Sequence, residues 1–201
     1  MLKILNKFFS STKNLNNINH RFIKLRKERN VEKIFDAIES YSNEAEIRYV
    51  GGCVRKYLSN EEIDDIDIAT SLTTDQIKEK FKDTKFNIID SGLKHGTVTL
   101  VSDQLKLELT TLRKDVKTDG RHAQVEYTKN WLEYASRRDF TINAIYADNE
   151  GRLFDPQNGV SDLKKGQIKF IGSPEERIQE DYLRILRYFR FFNLYSKADH
   201  D

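Results

Sequence analysis

The segment Tyr49-Val50-Gly51-Gly52, closely followed by Ile63-Asp64-Asp65-Ile66-Asp67-Ile68, decides the expected fold. Strand side chains alternate between faces, so a strand over residues 64–69 points Asp65 and Asp67 one way and the isoleucines into a core. Two carboxylates about 5 Å apart repel by roughly 3 kcal/mol at an effective dielectric near 20. A divalent metal ion offsets that repulsion best, so the pattern predicts metal-dependent phosphoryl or nucleotidyl transfer. The alternative, an acidic surface turn that includes Asp64, is disfavoured by the flanking isoleucines.

The glycine pair lies between a predicted strand, residues 47–50, and a predicted helix, residues 53–58. Without side chains at Gly51 and Gly52, backbone amides can approach a phosphate, whose charge the helix dipole favours. Arg55, one turn into the helix, can reach a triphosphate with its fork of donors. Most Gly-Gly pairs are ordinary turns, and only the following Val-Arg and Asp-x-Asp make this one fairly specific.

The composition bounds the class of protein. The 201 residues, 38% hydrophobic and 33% charged, fit one polar folded domain with an appendage. The net charge is only +2, so a nucleic-acid surface would need local clustering of basic residues. The single cysteine, Cys53, excludes an internal disulfide or a thiolate zinc site and fits a reducing compartment. No apolar run is long enough to span a bilayer, so we expect no membrane partner.

Residues 1–27 contain basic side chains and no acid. That composition resembles an organelle transit peptide, which would indicate a mitochondrial protein. Lys, Asn and Ile are frequent along the whole chain, however, and this favours an ordinary basic extension, residues 1–30, on a cytoplasmic protein.

Periodicity and turn residues place the remaining elements. We expect a helix over 31–41, a helix capped by Thr73-Thr74-Asp75, and a helix or buried strand over 140–147. Strands are predicted over 86–90, 95–101 and 105–110, a mobile charged loop over 114–124, and a turn over 155–159. A long final helix is predicted to begin at Ser173, with Pro174 first and Glu176 completing a capping box. No Gly or Pro interrupts it before Asp201.

Two further segments carry candidate chemistry. Glu108 lies on the polar face of the strand over 105–110 and is our candidate for a third carboxylate, although such a residue is more often simply solvated. In Arg137-Arg138-Asp139, Asp139 can accept from a ribose hydroxyl and Arg138 can meet phosphate or base. Taken alone, a surface turn would be the commoner explanation of that tripeptide.

The final helix places Arg177, Glu180, Asp181, Arg184 and Arg187 at spacings of three and four, on one face. Such charges usually form solvated ion pairs. A sharper interpretation exists for Asp181 and Arg184, because a carboxylate accepts from the amino group of C or A and a guanidinium donates to the neighbouring ring nitrogen. U and G present the reverse order and would leave both side chains unpaired, which discriminates strongly.

Five motifs together resemble, in order and over roughly residues 31–192, those of class II tRNA nucleotidyltransferases and bacterial poly(A) polymerases. They are Gly51-Gly52-Cys53-Val54-Arg55, Asp65-Ile66-Asp67-Ile68-Ala69-Thr70, Glu108-Leu109-Thr110-Thr111-Leu112-Arg113, Arg137-Arg138-Asp139-Phe140-Thr141-Ile142-Asn143-Ala144, and Glu176-Arg177 with Glu180-Asp181-Tyr182-Leu183-Arg184. The resemblance implies an α+β, polymerase-β-like head with a small mixed sheet backed by helices, over 31–160, and the start of a helical neck over 161–201.

The resemblance also implies roles. Asp65 and Asp67 would bind two Mg²⁺ ions as catalytic residues, supported by Glu108. The expected nucleotide-binding residues are Gly51, Gly52, Arg55, Arg138, Asp139, Asn143, Asp181, Arg184 and Arg187.

The activity expected from the resemblance is addition of CCA to the tRNA 3′ end from CTP and ATP. The stretches 91–98 and 119–122 are similar to CCA-adding members and disfavour addition of CC alone. Poly(A) addition, A addition, or a non-catalytic fragment that needs a separate C-terminal RNA-binding chain are the alternatives. Three departures stand out: Lys56 replaces the usual acid, Ala135-Ser136 replaces an acidic stretch, and the chain would end inside the neck, before body and tail.

Overall fold

The computed structural model describes residues 22, 27, 31–63, 65–92, 96–103, 105–119 and 122–197. Most of the basic extension therefore lies outside the described residues, as do Asp64 and the central parts of the stretches 91–98 and 119–122. Phe22 is buried in the core against Tyr49 and Tyr57. Among the described residues, no helix combines the length and apolarity that crossing a bilayer requires.

A seven-stranded mixed sheet forms the centre of the molecule. Its strands are β1 (Ile47–Tyr49), β2 (Asp67–Thr70), β3 (Asn87–Gly92), β4 (Thr97–Ser102), β5 (Leu105–Thr111), β8 (Tyr146–Ala147) and β9 (Leu153–Phe154). Their spatial order is β3-β4-β5-β2-β1-β8-β9, and the one parallel pairing joins β2 to β5. The leucines at 105, 107 and 109 are buried while Lys106 and Glu108 are exposed, which confirms the predicted alternation.

Within the described ranges, seven helices accompany the sheet. They are α1 (Glu32–Glu39), α2 (Gly52–Leu58), α3 (Thr74–Phe81), α4 (Trp131–Ser136), α5 (Gly159–Lys165), α6 (Pro174–Glu180) and α7 (Leu183–Tyr195). Apolar residues of α1, α2 and α3 pack with the sheet in one large core. The predicted cap of α3 is confirmed, because Thr73 and Gln76 form a reciprocal capping box. This backed sheet is the expected α+β head.

The charged segment predicted as a mobile loop is instead a hairpin. Strands β6 (Arg113–Asp119) and β7 (His122–Tyr127) pair antiparallel in a separate two-stranded sheet. A two-stranded ribbon leaves much of its surface open to water, so charged residues fit it. Opposed Lys114 and Glu126 form an ion pair of 3.4 Å. The prediction of a mobile loop over 114–124, which was made from the charge of the segment, was therefore wrong.

The segment over 140–147 combines both predicted possibilities. Thr141–Asn143 form a buried 3₁₀ turn, and Tyr146–Ala147 form strand β8. Helix α5 packs directly on this turn, since a Cβ at Gly159 would lie 2.2 Å from the Thr141 carbonyl oxygen. Asp162 of α5, also buried, accepts hydrogen bonds of 2.8 Å from the Thr141 hydroxyl and the Lys169 ammonium. Helix α5 and its Asp162 therefore hold the 3₁₀ turn in place.

The predicted uninterrupted final helix was wrong. Helix α6 ends at Glu180, and Asp181 has extended backbone with φ −156° and ψ 103° before α7 begins. The Asp181 carboxylate accepts a 3.1 Å hydrogen bond from the Leu183 amide, which satisfies an otherwise unpaired donor at the start of α7. Aspartate is favoured at helix starts, so Asp181 explains a break in the helix where no glycine or proline lies.

The start of α6 agrees with the prediction only in part. Ser173 is the N-cap and Pro174 occupies the first helical position, as expected. The capping box with Glu176 is not formed, because the Ser173 side chain makes no capping hydrogen bond.

Candidate active site

A cavity of about 610 Å³ opens between the glycine turn, the β6–β7 hairpin and helix α7. Ten of the twelve predicted site residues line it, and Asp65 and Glu108 do not. The lining members of the predicted set are Gly51, Gly52, Arg55, Asp67, Arg138, Asp139, Asn143, Asp181, Arg184 and Arg187. Residues far apart in sequence therefore converge on one concave surface.

The glycine turn at the cavity requires glycine for its backbone. Gly51 has φ +69° and ψ −132°, a conformation that side-chain-bearing residues rarely adopt. Space is not the constraint, since a Cβ there would lie 3.5 Å from Asp67 Oδ2 and 3.9 Å from Arg138 Nη1. The turn thus brings bare backbone next to a carboxylate and a guanidinium.

The acidic pair does not lie on one strand. Strand β2 begins at Asp67, and Asp65 precedes it with an exposed side chain, so the predicted strand over 64–69 was too long. Ile68 is buried and Ile66 packs against the core, as expected. Asp67 pairs in register with Glu108 of β5, which places two carboxylate-bearing residues side by side on adjacent strands.

The pKa of Asp67 reflects the charged groups around it. Partial desolvation by the cavity walls raises its pKa; the Arg138 guanidinium opposes that effect, and the carboxylates of Glu108 and Asp65 reinforce it. The sequence predicted a divalent metal ion as the best counter-charge for the acidic pair, and Arg138 supplies part of the positive charge there.

The three acids fit a hard cation by donor type but do not form a closed ligand set. Carboxylate oxygens are the ligands that Mg²⁺ prefers, and Glu108 and Asp65 are near enough to Asp67 to raise its pKa. Within the described part of the chain, however, no three His, Cys, Asp or Glu side chains are grouped closely enough to hold a metal ion together. The two-ion site therefore stays a prediction.

A relay of polar contacts crosses the cavity from head to neck. Arg55 donates to Asn143 Oδ1, and Asn143 Nδ2 donates to Asp139 Oδ1 over 2.9 Å. Asp139 Oδ2 lies 3.2 Å from Arg187 Nε, and Arg187 Nη2 lies 3.2 Å from Asp181 Oδ2. Since both ends of its amide are engaged, Asn143 orients Arg55 and Asp139 in this structure.

The predicted base-reading pair shares the cavity, but its members have other partners. Arg184 is 7% exposed, and its guanidinium group donates to the Glu180 carboxylate and, over 2.6 Å, to the Arg177 carbonyl. Asp181 pairs with Arg187. The structure therefore brings both side chains to the cavity without placing them in contact with each other.

Sequence reasoning missed several lining residues. Arg113, Asp115, Arg137 and Arg190 complete a charged lining of seven arginines and four aspartates, and Val125 and Phe191 add apolar surface. Arg113 and Arg137 stood inside quoted motifs, so their motif positions were an available signal. Asp115 and Val125 were not predicted as lining residues, because the segment that forms the hairpin was predicted to be a loop.

The chain also matches a known protein family. The family model described as the Poly A polymerase head domain matches residues 47–169, which is more than half of the chain. The chain belongs to the poly A polymerase head-domain family. That match includes the glycine turn, β2, β5, the hairpin and the Arg137-Arg138-Asp139 segment.

Relatives of this head-domain chain carry specific names. Human mitochondrial CCA tRNA nucleotidyltransferase 1 is 48% identical over 159 residues, covering 78% of this chain and 37% of the relative. The CCA-adding enzyme of Levilactobacillus brevis is 41% identical over 160 residues, covering 79% and 39%. The chain thus spans about two-fifths of the length of the curated relatives it matches.

Solved structures confirm the head-domain fold. The CCA-adding enzyme of Bacillus stearothermophilus in complex with CTP has a TM-score of 0.70 and 34% identity, covering 79% of this chain and 37% of that chain. A tRNA nucleotidyltransferase complexed with a primer tRNA and an incoming ATP analogue has a TM-score of 0.60 and 28% identity, covering 85% and 44%. The expected mixed sheet backed by helices is therefore confirmed.

Proposed function

We propose that this chain is a tRNA nucleotidyltransferase that adds C and A to the tRNA 3′ end from CTP and ATP. The observation that carries the proposal is the cavity itself, where the glycine turn, Asp67, a surplus of arginines and the neck pair Asp181 and Arg184 share one surface. An excess of three positive charges among the lining residues suits a polyanion such as a triphosphate. Relatives named for CCA addition support the choice of substrate.

In the proposed reaction, the terminal 3′ hydroxyl attacks the α-phosphate and pyrophosphate leaves. Asp65, Asp67 and Glu108 are the residues that would hold Mg²⁺. An ion held there would supply a lower pKa for the attacking hydroxyl and positive charge against the phosphates. The chain's own contribution is to orient the triphosphate with Arg55 and Arg138 and to exclude water from it.

Base choice is proposed to lie with Asp181 and Arg184. In this proposal Asp181 accepts from the exocyclic amino group of C or A, and Arg184 donates to the neighbouring ring nitrogen. Both side chains must then exchange present partners, Arg187 and Glu180, for the base. Asp139, held by Asn143 and Arg187, is proposed to accept from the ribose.

The test supplies tRNA lacking its terminal CCA with CTP alone, ATP alone, or both. A CCA-adding enzyme incorporates two C residues from CTP alone and a further A when ATP is added. A poly(A) polymerase adds runs of A from ATP alone, and an A-adding enzyme acts only on tRNA already ending in CC. Incorporation of neither nucleotide by a chain that binds both would favour catalysis that requires a separate C-terminal RNA-binding chain.

Localisation is part of the proposal. We keep a cytoplasmic location as the first proposal and a mitochondrial one as the alternative, supported by the mitochondrial name of the human relative. Fusing residues 1–30 to a fluorescent reporter separates the two, since import of the reporter into mitochondria would refute the cytoplasmic assignment.

A further inference from the structure

Two adjacent arginines on the cavity wall lack a carboxylate partner. The guanidinium groups of Arg137 and Arg138 both line the cavity, and the Nε atom of each is buried without a hydrogen-bond acceptor. Among the described residues, no carboxylate oxygen lies within ion-pair distance of either group. Two like charges held side by side in a partly desolvated wall are costly unless something stabilises them.

Aromatic side chains stabilise them, Tyr134 foremost, and Tyr146 also acts on Arg138. Tyr134 of α4 is 1% exposed, and the guanidinium carbons of Arg137 and Arg138 each lie 5.1 Å from its ring centre. Arg138 Nη2 also donates to the Tyr134 hydroxyl over 3.0 Å. The ring is itself fixed by Trp131, edge-on at 6.0 Å, and by Tyr146 at 5.8 Å.

An aromatic partner differs from an acidic one in a way that matters here. A carboxylate at this place would orient the two guanidinium groups and also cancel one of their charges. A neutral ring attracts both through its quadrupole and adds no negative charge to the cavity wall. Asp67, Asp115 and Asp139 act on the pair only from longer range.

We propose that Tyr134 is a positioning residue that holds Arg137 and Arg138 without neutralising either, so that both guanidinium groups stay available to the phosphates of the incoming nucleotide. The inference rests on the proposed function, because it names how that same site recognises a triphosphate. It adds a residue that does not line the cavity and whose effect passes through the two arginines.

The experiment measures binding of inorganic tripolyphosphate, CTP and CMP to the 201-residue chain by calorimetry. Tyr134→Phe keeps the ring and loses one hydrogen bond to a charged donor, so tripolyphosphate should bind about threefold to tenfold more weakly. Tyr134→Leu loses ring and hydroxyl and should weaken binding further. Tyr49→Phe, in another buried tyrosine away from the cavity, is the matched control and should leave binding unchanged.

The second arm is Tyr134→Asp, judged by which ligands lose affinity. The substitution empties part of a packed core, so the melting temperature should fall, and binding is measured well below that transition. A carboxylate beside the two guanidinium groups offsets one of their charges, so tripolyphosphate and CTP binding should weaken about tenfold. CMP, with one phosphate, should lose less affinity than CTP. Unchanged tripolyphosphate affinity in both Tyr134→Phe and Tyr134→Asp, or equal losses for CMP and CTP, would overturn the inference.

Failure of the proposed function gives a different pattern. If tripolyphosphate and CTP bind and respond to the variants as expected, but no nucleotide is ever added to tRNA, Tyr134 keeps its role and the assignment of the reaction is wrong. If CCA is added and all Tyr134 variants bind tripolyphosphate as the natural chain does, the reaction stands and the inference fails.

Discussion

Replacing Asp67 by asparagine should abolish nucleotide incorporation and at the same time stabilise the fold. Asp67 lies beside Glu108 in the β2–β5 register, and partial desolvation and the neighbouring acids hold its pKa above the ordinary value. Adjacent strands are about 4.8 Å apart, and two unit charges at that distance repel by about 1 kcal/mol in water-like surroundings. Because the cavity is open to water, the dielectric constant of water is the appropriate one for this repulsion.

The sign of the pH dependence follows from the raised pKa. Below the unfolded pKa of about 3.9, Asp67 is protonated in both states and contributes nothing. As the pH rises through the elevated folded pKa, the unfolded chain ionises more readily, and the natural protein loses stability relative to Asp67→Asn. The stability advantage of Asp67→Asn should therefore appear above about pH 4 and grow until the pH exceeds the folded pKa of Asp67.

Urea denaturation at pH 4 and pH 7 measures the advantage, which should reach about 0.5–1 kcal/mol at pH 7, or a rise of about 2 °C in melting temperature for a chain of this size. Incorporation of labelled CTP into tRNA lacking CCA should fall at least about 10³-fold. Asp90→Asn is the control: Asp90 is exposed, pairs with Lys78 outside the cavity, and should change neither property appreciably. If Asp67→Asn is instead less stable at pH 7, Asp67 is a structural partner of Arg138, and the site argument fails.

Three further substitutions test separate parts of the site. Gly51→Ala should cost about 1–3 kcal/mol of unfolding free energy, because alanine is strained at φ +69°; an unchanged urea midpoint would contradict the turn geometry. Asp162→Ala leaves the Thr141 hydroxyl and the Lys169 ammonium without their acceptor and should cost about 1–3 kcal/mol, measured the same way, and a neutral result would show that the turn is held elsewhere. Asp181→Ala should increase incorporation of UTP and GTP relative to CTP and ATP while catalysis persists, which is measured with each of the four nucleotides alone. An equal loss of incorporation for all four nucleotides would exclude the proposed role of Asp181 in base choice.

Much of the head could be predicted because its signals are local. The alternation around Glu108 needs only the period of a strand, and the cap of α3 needs only Thr73 and Gln76, which lie within one helical turn. The glycine turn was also accessible, because Gly51 and Gly52 lie between a predicted strand and a predicted helix, where a turn is expected. In each case the deciding contacts join residues close in sequence, so the pattern carried the information.

The errors share a cause that local patterns do not contain. Whether Asp65 belongs to β2 depends on how far β1 and β5 extend beside it, and pairing begins only at Asp67. The charges of residues 114–124 suggested a loop, but a hairpin is decided by the partner strand and tolerates charge where both faces meet water. Likewise, Asp181 and Arg184 were predicted on one continuous helix, but the helix breaks at Asp181, and only the fold of the neck reveals that break.

The charged residues around that break pair with one another and also join the neck to the head. Glu180 accepts from Arg177 and Arg184, and Asp181 pairs with Arg187, as neighbouring charges on a helix would. Arg177 also donates over 2.7 Å to the carbonyls of Arg137 and Arg138, which follow the end of α4. Arg187 also reaches Asp139. Because these contacts join α6 and α7 to the segment 137–139, a displacement of either helix would have to stretch or break contacts to that segment.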